Sequence, residues 1–299
     1  MSLERFSMCS FTVMSTPFEE QLDAIVEAGV PGVGLCEALI PEGWTADRLG
    51  AELDRRGLKP TICITALLSP LPLVLFPGPD DPVEREARIA ESIRLFGAIG
   101  ADAVVVLTGP AQDRPADEAE EVAVAAIARL TELAAAAGTR LALEPIYRAD
   151  HESWSLIWNL PEAIRIVDQI NHPALGITVD PFHLWDTDDF HGWIRRAGPR
   201  IAAVHVNDRG ADHRSWADRR IPGTGIIDLA GMIRACEEAG YAGYYDCEIF
   251  SDDGSLGVAD YEDSLWKRPA VSVVRECAAG FVAAFGDAQA PETGVAARD

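Results

Sequence analysis

Short runs of β-branched and apolar residues recur along the chain, each followed by a longer stretch in which apolar residues return every three or four positions. The short runs are Arg5 to Ser10, Gly32 to Cys36, Pro60 to Thr65, Ala103 to Leu107, Arg140 to Glu144, Gly176 to Asp180, Ile201 to Val206 and Tyr244 to Ile249. They read as strands, and several are apolar almost throughout, as strands buried on both faces must be. The clearest helix is Ala116 to Ala137, with Ala123, Ala126, Ile127, Leu130, Leu133, Ala134 and Ala137 on one face. Asp117, Glu118, Glu120 and Glu121 sit where the helix dipole favours carboxylates, and Gly138 follows where a left-handed cap is wanted. Similar units are Phe18 to Glu27, Pro82 to Gly97, Pro161 to Gln169 and Leu229 to Glu238. Strands alternating with helices in this way predict an α/β fold, a single-domain (β/α)8 TIM barrel over residues 1–285. An open doubly wound sheet is the alternative. Against it, no G-x-G-x-x-G follows the first strand and no linker divides the chain. Residues 286–299 read as a poorly ordered C-terminal tail.

Composition acts mainly by exclusion. The formal net charge of −23 opposes a nucleic-acid partner, whose binding depends on clustered Lys and Arg, and equally opposes an anionic membrane surface. No apolar run is long enough to cross a bilayer and the N-terminus lacks a signal-peptide pattern, so a cytoplasmic protein is expected. Six cysteines without a C-x-x-C pair read as buried free thiols.

In a barrel of this type the chemistry gathers at the C-terminal ends of the strands. Within their last one or two residues strands five to eight carry Glu144, Asp180, His205 and Glu248, spaced by about one βα unit each, so the four side chains can converge. Three carboxylates and an imidazole brought together in an apolar setting repel one another and resist desolvation unless a cation joins them. A lone strand-end carboxylate is more often a helix cap or a partner for arginine; four in succession point to one divalent metal ion, and oxygen and nitrogen donors suit Mn, Mg, Co or Zn. His183, three residues after Asp180, becomes a candidate for binding a substrate oxygen.

The motifs Leu143-Glu144-Pro145, Asp180-x-x-His183, Val204-His205-Val206 with the following Asp208-Arg209, and Cys247-Glu248-Ile249 together resemble the xylose-isomerase-like barrels of the sugar phosphate isomerase/epimerase superfamily, over about Arg5 to Phe285. The resemblance implies that Glu144, Asp180, His205 and Glu248 bind the metal, that Glu144 and Glu248 are the catalytic acid/base pair, and that His183 and an arginine contact substrate. The implied activity is a metal-dependent sugar, polyol or keto-sugar isomerase or epimerase, moving a proton through a metal-stabilised enediolate. Lyases of the same superfamily, such as inosose or dehydroshikimate dehydratases and 3-keto-glycoside eliminases, are the nearest alternative. In the ketose epimerases more residues separate the metal histidine from the substrate arginine, so Arg209 shares that assignment with Arg214, Arg219 and Arg220.

Glu37, just past strand two, and the loop tryptophans Trp185 and Trp266 are further candidates for substrate contact; Trp154, Trp158 and Trp216 also follow strands five to eight. The proline-rich apolar stretch from Leu67 to Pro79 reads as a lid or a dimer contact. The expected partner is a small carbohydrate-like molecule, and a homodimer or homotetramer is compatible with this reading. An apurinic-site endonuclease, a phosphodiesterase on a similar barrel, is disfavoured by the acidic charge and by histidines that all lie at or after His151. A non-catalytic carbohydrate-binding barrel would be expected to have lost its metal ligands.

Overall fold

A computed structural model describes residues 3–73, 78–212 and 214–290. Among the described residues nine parallel strands form one sheet: β1 (Phe6–Cys9), β2 (Gly32–Gly34), β3 (Lys59–Pro60), β4 (Ile62–Ile64), β5 (Ala103–Val106), β6 (Arg140–Leu143), β7 (Leu175–Val179), β8 (Ile201–Val206) and β9 (Tyr245–Cys247). β3 and β4 are two halves of the third barrel strand, divided at Thr61. The first half pairs with β2 and the second with β5, while Ile64 N–H also donates to Leu35 O, which brings the ends of the sheet together as a TIM barrel.

The period of two along each strand divides its side chains between two environments. Phe6, Met8, Val104, Val106, Leu141, Leu143, Ile177, Val179, Val204, Val206, Tyr245 and Cys247 pack outward in one large core with the surrounding helices. The intervening positions face the barrel interior, where Ala103, Val105, Ala142 and Ala203 form a smaller cluster. Glu144, Asp180, His205 and Glu248 share this inward parity, His205 one residue before the end of its strand and the others just past theirs. One layer below, Ser7 and Thr61 share a hydrogen bond of 2.6 Å, and Asp246 is the register partner of both Ser7 and His205.

Helices fill the connections: α1 (Phe18–Glu27), α2 (Ala46–Arg56), α3 (Pro82–Ala98), α4 (Ala116–Ala137), α5 (His151–Trp154), α6 (Leu160–Ile170), α7 (Pro181–Leu184), α8 (Phe190–Ala197), α9 (Leu229–Glu238) and α10 (Ala270–Gln289). Their starts are chemically marked. Thr45, Asp81, Asn159 and Asp228 each accept a backbone N–H from the first turn of the helix they precede. α1, α4 and α9 have the bounds read from the sequence. α2, α8 and α10, like the short α5 and α7, are not among the helices located from the sequence. α2 buries only Leu49 and Leu53, α8 spans only 8 residues, and α10 is so uniformly small and apolar that its periodicity is weak. α10 continues through Gly286 to Gln289, four residues into the expected tail, and residues 291–299 lie outside the described residues.

Of the apolar stretch from Leu67 to Pro79, residues 74–77 also lie outside the described residues. Leu71 packs on Ala119 and Ala123 of α4, and Leu73 on Leu107, Ile146 and Trp154, so both are core residues of this chain. The six cysteines are free and buried. Among the described residues no helix is long and apolar enough to cross a membrane.

Candidate functional site

The ends of β6 to β9 bring the four inward side chains to one point. His205 Nδ1 lies 3.5 Å from Glu144 Oε1, 3.6 Å from Asp180 Oδ2 and 3.4 Å from Glu248 Oε2. All four residues are at most 6% exposed. Glu144, Asp180 and His205 each offer a donor atom within 4.8 Å of the others, a set able to hold a metal ion. Glu144 Oε1 and both ring nitrogens of His205 have no hydrogen-bond partner. Buried polar atoms are seldom left so, and hard oxygen donors beside an imidazole nitrogen fit a divalent cation.

Without a metal the charges settle unevenly. Burial pushes the Glu144 carboxyl up to about 8, reinforced by the neighbouring Glu248 and Asp180 and opposed by His205 and Arg219. Burial opposes ionisation of Glu248 too, but His205 and Arg219 outweigh it and hold that carboxyl below its ordinary range. Asp180 is likewise held low, burial being overcome by Arg219, His183 and His205. Burial works against a charged His205, yet Glu248, Asp180 and Glu144 together raise its pKa well above the usual value. In the absence of a metal the two glutamates are thus shifted in opposite directions.

Arg219 supplies the internal positive charge. Its Nη1 donates to Glu248 Oε2 at 2.6 Å and to Asp180 Oδ2 at 2.9 Å, and its guanidinium lies 4.8 Å from the Phe182 ring centre and 4.6 Å from that of Phe250. The loop after β8 delivers it. Asp208 and Arg220 exchange two backbone hydrogen bonds, Arg219 N–H donates to Phe250 O, and the buried Asp208 carboxylate accepts the N–H groups of Arg209, Gly225 and Ile227. Gly225 permits this closure, because a Cβ there would stand 2.1 Å from Arg209 O and 2.4 Å from Asp208 Oδ1.

His183 completes the polar end. Burial lowers its pKa to about 4, so the ring is neutral. Its Nδ1 accepts the Tyr147 N–H at 3.1 Å, which leaves the hydrogen on Nε2. That nitrogen lies 3.2 Å from Arg219 Nη2, which also can only donate. Two donors facing one spot without an acceptor between them make a binding position for an oxygen of a ligand.

The remaining candidates lie elsewhere. Arg209 is buried with its guanidinium 4.5 Å from the Trp185 ring centre, and neither residue lines the cavity over the carboxylates. Arg214 pairs with Asp218 and Asp263, and Arg220 with Asp263, so Arg219 is the member of this group that turns inward. Glu37 Oε2 accepts the Ala66 N–H at 2.9 Å and ties two loops at the mouth. Trp266 is buried against Phe11, behind the cavity wall. Trp154 and Trp216, 5.0 Å apart between ring centres, do line the cavity, together with Phe11, Phe250, Ile64, Leu68, Leu107 and Ile146. Position after a strand suggested both tryptophans in the sequence, but nothing local separated them from Trp185 and Trp266.

The sequence model described as xylose isomerase-like TIM barrel matches residues 22–273. The 3-dehydroshikimate dehydratase of Pseudomonas aeruginosa is 30% identical over 261 residues, 80% of this chain and 37% of that protein. The L-ribulose 3-epimerase of Mesorhizobium japonicum is 28% identical over 145 residues, 48% of this chain and 45% of that protein. The matched segments therefore span less than half the length of these curated relatives. A solved structure from Sinorhizobium meliloti 1021 superposes with a TM-score of 0.81 at 26% identity, covering 94% of this chain and 98% of its own.

Proposed function

The chain belongs to the xylose isomerase-like TIM barrel family, and on that premise we propose that it is a divalent-metal-dependent enzyme moving a proton at the carbon next to a carbonyl of a small carbohydrate-like substrate, as an isomerase or epimerase. The observation that carries this reading is the convergence of Glu144, Asp180 and Glu248 within 3.6 Å of His205 Nδ1, with Glu144 Oε1 and both ring nitrogens of His205 left without a hydrogen-bond partner. Glu144, Asp180, His205 and Glu248 would hold the ion, which when bound polarises the carbonyl and lowers the cost of the negative charge that develops on its oxygen.

The chain's own residues then do the rest. Glu248, ionised beside Arg219, takes the proton from the carbon, and the electron pair of that C–H bond moves toward the carbonyl. Glu144 returns a proton, to the opposite face of the same carbon in an epimerase or to the neighbouring carbonyl carbon in an isomerase. His183 Nε2–H and Arg219 Nη2–H donate to one substrate oxygen and fix its orientation.

A second reading, a dehydratase, is favoured by the apolar walls of the cavity and by the dehydratase relative. In that reaction Glu248 removes the same proton, the electron pair forms a carbon–carbon double bond, and a β-hydroxyl leaves as water with a proton from Glu144. Incubating metal-loaded protein in D2O with ketoses, cyclic polyol ketones and keto-glycosides, followed by NMR, tests both. Deuterium at the carbon next to the carbonyl with the substrate otherwise intact supports isomerisation or epimerisation. Loss of water or of an aglycone supports the lyase. No metal-dependent change in any of them counts against the proposal.

A further inference from the structure

The cavity is chemically two-sided. Glu144, His183, Arg219 and Glu248 are the polar groups around the carboxylate cluster, and beyond them, among the described residues, the lining offers only the side chains of Thr65 and Asp150 as strongly polar groups. The Thr65 hydroxyl is already engaged with Leu67 O at 2.7 Å. The other wall is a continuous run of rings. Trp154 meets Trp216 at 5.0 Å between centres, Trp216 meets Phe250 at 5.6 Å, and Phe250 meets Phe11 at 4.3 Å. Leu68 packs against both apolar clusters flanking this wall.

A ketose hydroxylated along its length needs a partner for each hydroxyl it brings out of water, and a hydroxyl buried against this wall without one is penalised. A sugar ring stacks one C–H face on an aromatic ring, but its rim of hydroxyls still requires acceptors and donors. A flat apolar group meets no such demand and gains the full burial and ring contact. We propose that the substrate has two parts: a hydroxy-carbonyl head at the Glu144, His183, Arg219 and Glu248 end, and an aromatic or similarly flat apolar group stacked along Trp154, Trp216 and Phe250. This rests on the α-proton-transfer reading of the head group's chemistry, and it replaces a wholly hydroxylated ketose with an aryl-bearing hydroxyketone as the substrate class.

The test uses the full chain loaded with Mn²⁺ and two probes, 2-hydroxyacetophenone and D-fructose. Calorimetric binding is measured first, independently of turnover. The aryl ketone is expected to bind at least about tenfold more tightly, the scale of one buried ring face. Trp216→Ala is expected to reduce that ratio by about tenfold. Leu68→Gln, which adds hydrogen-bonding capacity to the wall without removing a ring, shifts the ratio toward fructose. Equal binding, tighter fructose binding, or no binding of either probe overturns the proposal. Deuterium exchange at the hydroxyl-bearing carbon is followed separately. Tight aryl binding without exchange contradicts the proton-transfer reading and leaves the two-part site supported, whereas exchange faster with fructose than with the aryl ketone, alongside tighter fructose binding, does the reverse.

Discussion

His183 Nε2 lies 3.2 Å from Arg219 Nη2, and both atoms carry hydrogens to donate. The Tyr147 N–H fixes the tautomer from the other side of the ring, and the carboxylates of Asp180 and Glu248 hold the guanidinium in place. A pair of convergent donors is stabilised by the oxygen that enters between them.

If the two donors share one substrate oxygen, their contributions are not independent. Arg219→Met and His183→Ala are each expected to lower kcat/KM by roughly 100-fold, the scale of a charge-assisted or buried hydrogen bond in the transition state. The double variant is expected to lose clearly less than the product of the two. Steady-state rates for the set check this, and fully multiplicative losses would show two separate binding positions.

Protonation couples metal binding to pH. With the metal-free Glu144 carboxyl near 8 and the His205 pKa raised, the ion must displace protons to bind, so affinity is expected to rise with pH up to about 8. Titration calorimetry in buffers of different ionisation enthalpy reads the released protons directly. The metal-free fold behaves oppositely. Both groups bind protons more tightly folded than unfolded, so their contribution to stability is present at low pH and is lost as pH rises through the folded pKa. Metal-free Glu144→Gln is therefore expected to be more stable than the parent at pH 8, by on the order of 1–3 kcal/mol, with the gap closing near pH 5. Thermal melts at the two pH values measure it.

Gly225 closes the loop that carries Arg219. Gly225→Ala places a Cβ against Arg209 O and Asp208 Oδ1, and the backbone must shift to admit it. A loss of roughly 1–3 kcal/mol in stability is expected, together with a fall in kcat/KM out of proportion to the folded fraction. Denaturant unfolding beside kinetics separates the two effects.

Much of this was legible along the chain, for a physical reason. Strand parity and the spacing of βα units are local properties, so Glu144, Asp180, His205 and Glu248 identify themselves once the strands are read. Which arginine of the following loop turns inward is not local. The two-way backbone pairing of Asp208 with Arg220 sets it, and it selects Arg219 where adjacency to the histidine favoured Arg209. Glu37 lies just past the second strand and Trp266 in the loop after the last, yet a backbone N–H and the ring of Phe11 engage them. Helices α2 and α10 escaped because one has too few buried apolar residues and the other too little contrast between faces.

Asp246 stands one layer beneath the site, fully buried, with both carboxylate oxygens over Gly34 where a Cβ would lie 2.3 Å from Oδ2. It is the register partner of His205; burial pushes its carboxyl up to about 7, and the charge of His205 opposes that shift. A buried negative charge one layer beneath the ligands favours a cation above it, so Asp246→Asn is expected to weaken metal binding while the folded state persists. Competition with a fluorescent chelator gives the affinity.

The account stands on one ion held by four strand-end side chains, and metal content tests it most directly. After dialysis against excess Mn²⁺ and removal of the unbound ion, elemental analysis of the wild-type chain is expected to return about one ion per chain, and the His205→Ala and Asp180→Asn variants, folded by circular dichroism, close to none. Equal metal content in the wild type and both variants would contradict it.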